Sequence, residues 1–548
     1  MPDSIYTSES ASMLALLGTT GTGPVASRRI RSWFDVAEHL NRKIVDVFPP
    51  PLEEQLTSFY FGSNKDDGEN ENPNLETLTA LAKNVSAVVI AHWSLRNPEE
   101  ASTAISSIQE LLNGLNLRPW GDQRQNAITP YFAVLKGIDI ACQNNRDLLN
   151  LGKSGPMNDG RADDGIGVYL KPKSSYIDRL MAQSGTERIF ENKINDQFKR
   201  LAFFNNPYPV NTELPRIVNV IPPKSASMPS EKNPLRIGMA AFSGKEVIDA
   251  KGPDSPAETT PAGGATFRIE YSPGYDSRYA DGVAKAVDDA LSNKCHILVF
   301  PELMITPGLR QVIKAKLSKA TAPSLFLIVA GSAWENDNNV CHLLDGFGND
   351  IGVYYKYSRF ETGASYSRPD RRLLVEGLAT PGKRCTLVNV QGFGLVLPSI
   401  CKDLVSEDER TVQLARAFRP ILVCCPAYSG SIDHAFEQPT GSIVERSLAM
   451  VCISNCCGAR KLRDGGEEEE RFSAIAAPGY KVYADGSNSE THQARIEKKE
   501  AWKTRACLAS CQNNGSCLFV AQIDYRAVLG VESVLPDITV TKIIDNDN

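Results

Sequence analysis

The sequence predicts an α/β layered fold from about residue 235 onward, preceded by a mainly helical N-terminal region. Beyond residue 235, apolar runs of strand length alternate with helical patterns, the order that builds layered α/β folds. Several of those runs, HILVF and SLFLIVA among them, are apolar almost without a break, which suits strands buried on both faces. Before residue 150, apolar residues instead recur at helical spacing.

The elements follow in order. Residues 28–48 place Trp33, Val36, Ala37, Leu40, Ile44, Val47 and Phe48 at helical spacing, and Pro49-Pro50-Pro51 ends that helix. The polar stretch SNKDDGENENPN at 63–74 reads as a loop. Further helical patterns cover 75–95, 98–113 and 130–150. The segment GKSGPMNDGRADDG at 152–165 is rich in turn residues and reads as a linker. Its ADD at 162–164 lacks the flanking apolar strands that would hold a pair of metal-binding aspartates, so it reads as loop too. Residues 175–204 are expected to hold further helix, and the proline-rich 205–235 an extended connector.

Expected strands then fall at 235–242, 295–300, 324–331, 351–355, 384–390, 393–400, 420–426, 449–455, 472–477 and 517–523. Helices are expected at 277–292 and 407–418, the second opened by a Ser406/Glu409 capping box. Residues 243–265 and GGEEEER at 465–471 read as solvated insertions. The resulting domain division is 1–151, helical and of unassigned role; 152–234, linker with additional helix; 235–525, the α/β domain; and 526–548, a tail.

A chain of 548 residues exceeds one ordinary core. Its 42% hydrophobic and 23% charged content is that of a globular protein, and a net charge of -6 argues against a nucleic-acid surface spread over the whole chain. The sequence lacks a run of about 18 apolar residues, so a membrane span is not expected. MPDSIYTSES has neither a basic nor an apolar signal region, and a cytoplasmic location is expected. Many of the 13 cysteines sit in apolar strand-like runs, as buried hydrophobes would in a reducing compartment. Cys507, Cys511 and Cys517 are spaced poorly for zinc, and a structural metal is not expected.

Three chemically suggestive residues lie at strand ends, where α/β sheets gather functional groups. Glu302 follows HILVF, Lys356 ends IGVYY, and Cys401 follows GLVLPSI. An acid, an amine and a thiol so placed suggest covalent acyl transfer. The carboxylate takes the thiol proton and returns it to a departing amine. The ammonium steadies the oxyanion, with the backbone N–H of Lys402 as a further donor.

The ordered motifs VFPEL (299–303), VAGSAWE (329–335), LLDGFGNDIGVYYK (343–356), EGLATPG (376–382), FGLVLPSICKDL (393–404), CCPAYSGS (424–431) and VERSLAMVCISNCCG (444–458) carry a resemblance. Residues 235 to about 525 resemble the carbon–nitrogen hydrolase family of nitrilases, aliphatic amidases and carbamoylases. The resemblance implies a four-layer α-β-β-α sandwich and a homo-oligomer. It implies hydrolysis of a non-peptide amide or carbamoyl bond through a cysteine thioester, without metal or organic cofactor. It carries the general base onto Glu302, the oxyanion-stabilising lysine onto Lys356 and the nucleophile onto Cys401. A second glutamate that holds the lysine falls on Glu376, with Glu361 as the rival. Lys402 and Tyr428, inside the matched motifs, are the candidate substrate-binding residues.

The family usually has an aromatic residue where Lys402 stands, and a cation there favours an acidic substrate. SRPDRR at 367–372 reads as a solvated basic loop. Nitrile hydrolysis and acyl transfer to an amine remain open. So does a different class of role, in which the N-terminal region binds a protein partner and the hydrolase-like domain serves as sensor, scaffold or effector.

Overall fold

A computed structural model of the chain describes residues 36, 37, 40, 74–92, 98–117, 123–144, 166–170, 201–205, 215–230, 232–242, 248–251, 265–362, 374–406, 410–429, 435–456, 473–477, 495–496, 516–523 and 538–543. They divide between two units. The expectations for 63–73, 152–165, 367–372 and 465–471, and the Glu409 half of the capping box, lie outside these residues.

The first unit holds helices α1 (Leu75–Ala91), α2 (Pro98–Asn113) and α3 (Gln123–Asn144) and an antiparallel pair, β1 (Ile166–Leu170) with β2 (Leu201–Asn205). Leu78, Leu81, Val85 and Val89 of α1 recur three to four residues apart and are buried, as are Leu135, Ile138 and Ala141 of α3. Gly137 lets the two helices touch: a Cβ there would lie 2.6 Å from Cβ of Val85. Helix α3 begins before Pro130, which sits inside it at the cost of one backbone donor. Of the further helix expected at 175–204, residues 175–200 lie outside the described residues, and the end is corrected: LAFFN is strand β2. Its aromatic pair suits a ladder with IGVYL.

The second unit contains β3 (Arg216–Val220), β4 (Leu235–Phe242), β5 (Ile248–Lys251), β6 (Ala265–Tyr271), α4 (Tyr275–Ser292), β7 (Ile297–Val299), α5 (Pro307–Leu317), β8 (Leu327–Val329), β9 (Ala333–Glu335), β10 (Asn338–Asp345) and β11 (Asp350–Tyr355). After these come β12 (Glu361–Thr362), β13 (Leu374–Glu376), β14 (Thr386–Val390), β15 (Gly394–Pro398), α6 (Lys402–Val405), α7 (Arg410–Phe418), β16 (Leu422–Ala427), α8 (Glu437–Ser447), β17 (Met450–Asn455), β18 (Ala474–Ala477), β19 (Arg495–Ile496), β20 (Ser516–Ile523) and β21 (Ile538–Ile543).

Two large sheets result. One runs β11-β10-β8-β7-β4-β20-β21, with β9 on β10; the other runs β19-β18-β17-β16-β15-β14-β3. In each the central strands are parallel, β4-β7-β8 in the first and β15-β16-β17 in the second. Those strands are the apolar runs of the sequence, and β7, β8, β16 and β17 are buried throughout. A third, four-stranded sheet, β12-β13-β6-β5, takes β5 from the stretch read as a solvated insertion and pairs it antiparallel with β6.

Helix α4 buries Tyr275, Tyr279, Val283, Ala286, Val287 and Ala290 in one core with α5 and strands β4, β7, β8 and β20. The second helix starts cleanly. Thr306 caps it by accepting from the Leu309 N–H, and Pro307 occupies the first turn, where a backbone donor is dispensable. On the other sheet, α8 packs against β17 and β18. The two large sheets touch through β17 on β4 and β16 on β7. There the Ser454 hydroxyl reaches the carbonyls of Ala240 (2.8 Å) and Val299 (3.0 Å).

Two boundaries move. RIVNV, inside the expected connector, is β3, paired in parallel with β14. ITVTKI, inside the expected tail, is β21, paired along its whole length with β20. Both are short runs of branched residues that need a partner strand to become ordered, and flanking prolines and polar residues hide them.

Candidate active site

The site forms where strands of both large sheets end. Glu302 follows β7 and Lys356 follows β11, both from one sheet. Cys401 follows β15 and Tyr428 follows β16, both from the other.

Glu302 is set by the loop from Pro301 to Ile305. Its N–H donates to the Ala427 carbonyl at 3.2 Å, which ties the two sheets together at this point. Leu303 adopts a φ of 61°, and the Ser332 hydroxyl steadies that turn by accepting the Leu303 N–H at 2.9 Å. Gly331 must be glycine: its φ is 58°, and a Cβ would lie 2.2 Å from the Pro301 carbonyl oxygen. The Gly-Ser pair after β8 therefore shapes the loop that carries the acid.

The carboxylate of Glu302 is fully committed. Oε1 accepts from Nζ of Lys356 (2.8 Å) and from Nδ2 of Asn339 (2.8 Å), and Oε2 accepts from the Tyr428 N–H (3.0 Å). Glu376, at the end of β13, lies 2.7 Å from the same Nζ, and its Oε2 also accepts the Phe360 N–H. Burial disfavours the Lys356 ammonium. The charges of Glu302 and Glu376, and Cys401 beside them, outweigh it and hold its pKa well above the usual lysine value.

Cys401 is 7% exposed, at the turn from β15 into α6. Its φ of 40° is in the left-handed region, a strained conformation for a cysteine that costs about 1–3 kcal/mol. Its N–H donates to the Pro426 carbonyl at 2.9 Å. Burial, then the charge of Glu302, push the thiol well above its ordinary pKa. Lys356 and the Tyr428 N–H pull the other way. The resting group is thus a protonated thiol.

Glu302, Lys356, Cys401 and Glu376 therefore meet at one place. Glu361 does not join them; it is exposed in β12, opposite Val375. Tyr428 contributes its N–H, while its ring packs against the core under α4. Lys402 is half-buried, one residue beyond the thiol.

No family model matches the chain, and no curated protein matches it. Solved structures do. Nit3 of Saccharomyces cerevisiae, a member of branch 10 of the nitrilase superfamily, is 12% identical, covers 55% of this chain and 94% of its own, and has a TM-score of 0.32. An amidase from Nesterenkonia sp. is 14% identical over 54% of this chain and 93% of its own, with a TM-score of 0.30. The NitFhit protein of C. elegans is 14% identical over 54% of this chain and 62% of its own, with a TM-score of 0.32.

Two site residues escape a motif-by-motif reading. Asn339 bridges the two glutamates, at 2.8 Å from Glu302 and 3.2 Å from Glu376. The signal for it was the hairpin register, which sets Asn339 opposite Lys356: their backbones are joined by a 2.9 Å bond next to the Val340–Tyr355 pair. Asp403, two residues after the cysteine, accepts the N–H groups of Tyr357 and Ser358. It thereby ties the nucleophile turn to the segment behind Lys356. Burial raises its pKa to about 6 against the pull of those N–H donors. Among the described residues, no group of three or more His, Cys, Asp or Glu is disposed to hold a metal.

Proposed function

We propose that the chain hydrolyses a non-peptide carbon–nitrogen bond, amide or carbamoyl, through a thioester on Cys401. The observation that carries this reading is one buried carboxylate, Glu302, hydrogen-bonded to the Lys356 ammonium, with both charges acting on the Cys401 thiol beside them.

The chemistry follows from that contact. The sulfur attacks the carbonyl carbon as its proton passes to Glu302. Lys356 meets the negative charge that grows on the carbonyl oxygen. The carbon–nitrogen bond breaks, and Glu302 gives its proton to the leaving amine or ammonia. Water then attacks the thioester with Glu302 as base. The carbon–sulfur bond breaks, the acid departs, and the proton returns to the sulfur. Glu376 holds Lys356 from the far side, and Lys402 and Tyr428 border the substrate. A cation at Lys402 suits an acidic substrate.

The reading extends to architecture. The two touching sheets with α4–α5 beside one and α8 beside the other support a four-layer α-β-β-α sandwich. The helices α1–α3 support a helical N-terminal module with a role in protein contacts. A cytoplasmic homo-oligomer is part of the proposal. The cysteines whose side chains are described are free, which suits a reducing compartment, and no described helix is long and apolar enough to cross a membrane.

The experiment is ammonia release from a panel of amides and carbamoylated amines, acidic ones included, by the full chain and by Cys401→Ala. Turnover that disappears in the variant is expected. Turnover unchanged by the substitution would overturn the mechanism.

A further inference from the structure

The reacting groups proposed above are charged or nucleophilic, but a neutral residue sits among them with an unusual bonding pattern. Asn339 is fully buried. Its Nδ2 donates to Oε1 of Glu302 at 2.8 Å and to Oε1 of Glu376 at 3.2 Å. Those two carboxylates also hold Lys356 Nζ, at 2.8 and 2.7 Å. The acids are thus joined twice, once by an ammonium and once by an amide.

Charge explains why an amide is needed. Two carboxylates around one ammonium leave a net negative charge in a site closed to water, where like charges repel strongly. Only the NH2 end of an amide can face two carboxylates, so the orientation of Asn339 is fixed. Its Oδ1 is left buried without a hydrogen-bond partner. An orphaned buried acceptor is unfavourable, and an apolar side chain at this point of β10 would avoid it. The residue therefore does something that packing does not require.

We infer that Asn339 is a positioning residue of the cysteine site: its amide clamps Glu302 and Glu376 at a fixed separation, so that Glu302 stays aimed at Cys401. This rests on the proposed function. The fold supplies the placement, because the β10–β11 register sets Asn339 opposite Lys356 and sends both side chains to the same face.

The test is the rate of Cys401 alkylation by iodoacetamide across pH, read peptide by peptide by mass spectrometry on the full chain, with a thermal melt to verify folding. The proteins are the wild type, N339S, N339D and the double variant N339D/E376Q. Both single variants leave the acids less compensated. Their alkylation is expected to be at least tenfold slower at pH 7, with the midpoint of the pH profile moved upward. The double variant restores two carboxylates and one amide to the cluster and is expected to react faster than N339D.

Wild-type rates and midpoints in both single variants would overturn the inference, as would a lowered melt with an unchanged profile. Should N339D not fold, N339S decides on the same criterion. A wild-type Cys401 no more reactive than the other cysteines brings down the proposed function and this inference with it. A reactive wild type with unaltered variants brings down the Asn339 inference alone.

Discussion

Glu302 accepts three hydrogen bonds, from Lys356, Asn339 and the Tyr428 N–H. Glu302→Gln keeps the size but loses the basicity. A general base contributes about 100- to 10,000-fold, and a fall in kcat of that order is expected, with the melting temperature close to wild type. Lys356→Met is expected to lower kcat by about 100-fold or more, and to do harm to stability as well, because it leaves two buried carboxylates facing each other. Kinetics together with thermal melts check both. The three charged or nucleophilic residues were legible in the sequence because each directly follows an apolar run. Asn339 was not. ENDNNV reads as a turn, and only the pairing of two strands reveals that its last asparagine faces the lysine. Asp403 was visible as part of ICKD, yet its bonds run to Tyr357 and Ser358, and nothing in a linear reading joins those segments.

At the level of elements, the Gly331-Ser332 pair after β8 controls the loop that carries Glu302. Gly331→Ala would place a Cβ against the Pro301 carbonyl at a positive φ, and a loss of about 1–3 kcal/mol in folding stability is expected from the strain alone. Ser332→Ala removes the acceptor of the Leu303 N–H and is expected to cost about 1 kcal/mol. Denaturant melts measure both, and activity should fall more than stability, since the displaced atoms belong to the acid. The central strands, β4, β7, β8, β15, β16 and β17, were legible from their unbroken apolar runs. Strands β3 and β21 were not, because RIVNV and ITVTKI are half-polar and owe their order to β14 and β20. Strand β10 was missed for a related reason: it opens with two asparagines, a turn signal that the pairing with β9 and β11 overrides.

Across the whole second unit, two buried groups link stability to pH in opposite senses. His296 lies beside β7, accepts the Arg236 N–H at Nδ1 and donates from Nε2 to the Ser227 carbonyl. Burial lowers its pKa from 6.5 to about 4. The unfolded chain therefore binds a proton that the folded chain refuses, and this group withdraws stability as pH falls from 6.5 toward 4. Asp403, raised from 3.8 to about 6 by burial, does the reverse: its contribution is best below 3.8 and is lost as pH rises through about 6. Asp403→Asn is expected to make stability fall more steeply on acidification through this window than in the wild type. His296→Gln is expected to shift the slope the other way. Denaturant midpoints measured at several pH values between 4 and 7 check the two signs, and equal slopes in all three proteins would refute both assignments.

The Ser454 hydroxyl, bonded to Ala240 and Val299, fastens one sheet to the other, one strand across from Pro426, whose carbonyl accepts the Cys401 N–H. Since the acid rides on one of those sheets and the sulfur on the other, any slippage between the layers alters the gap that the proton must cross. Turnover then serves as a ruler for interior alignment, and loosening this fastening would be felt by the chemistry before heat or denaturant detects it.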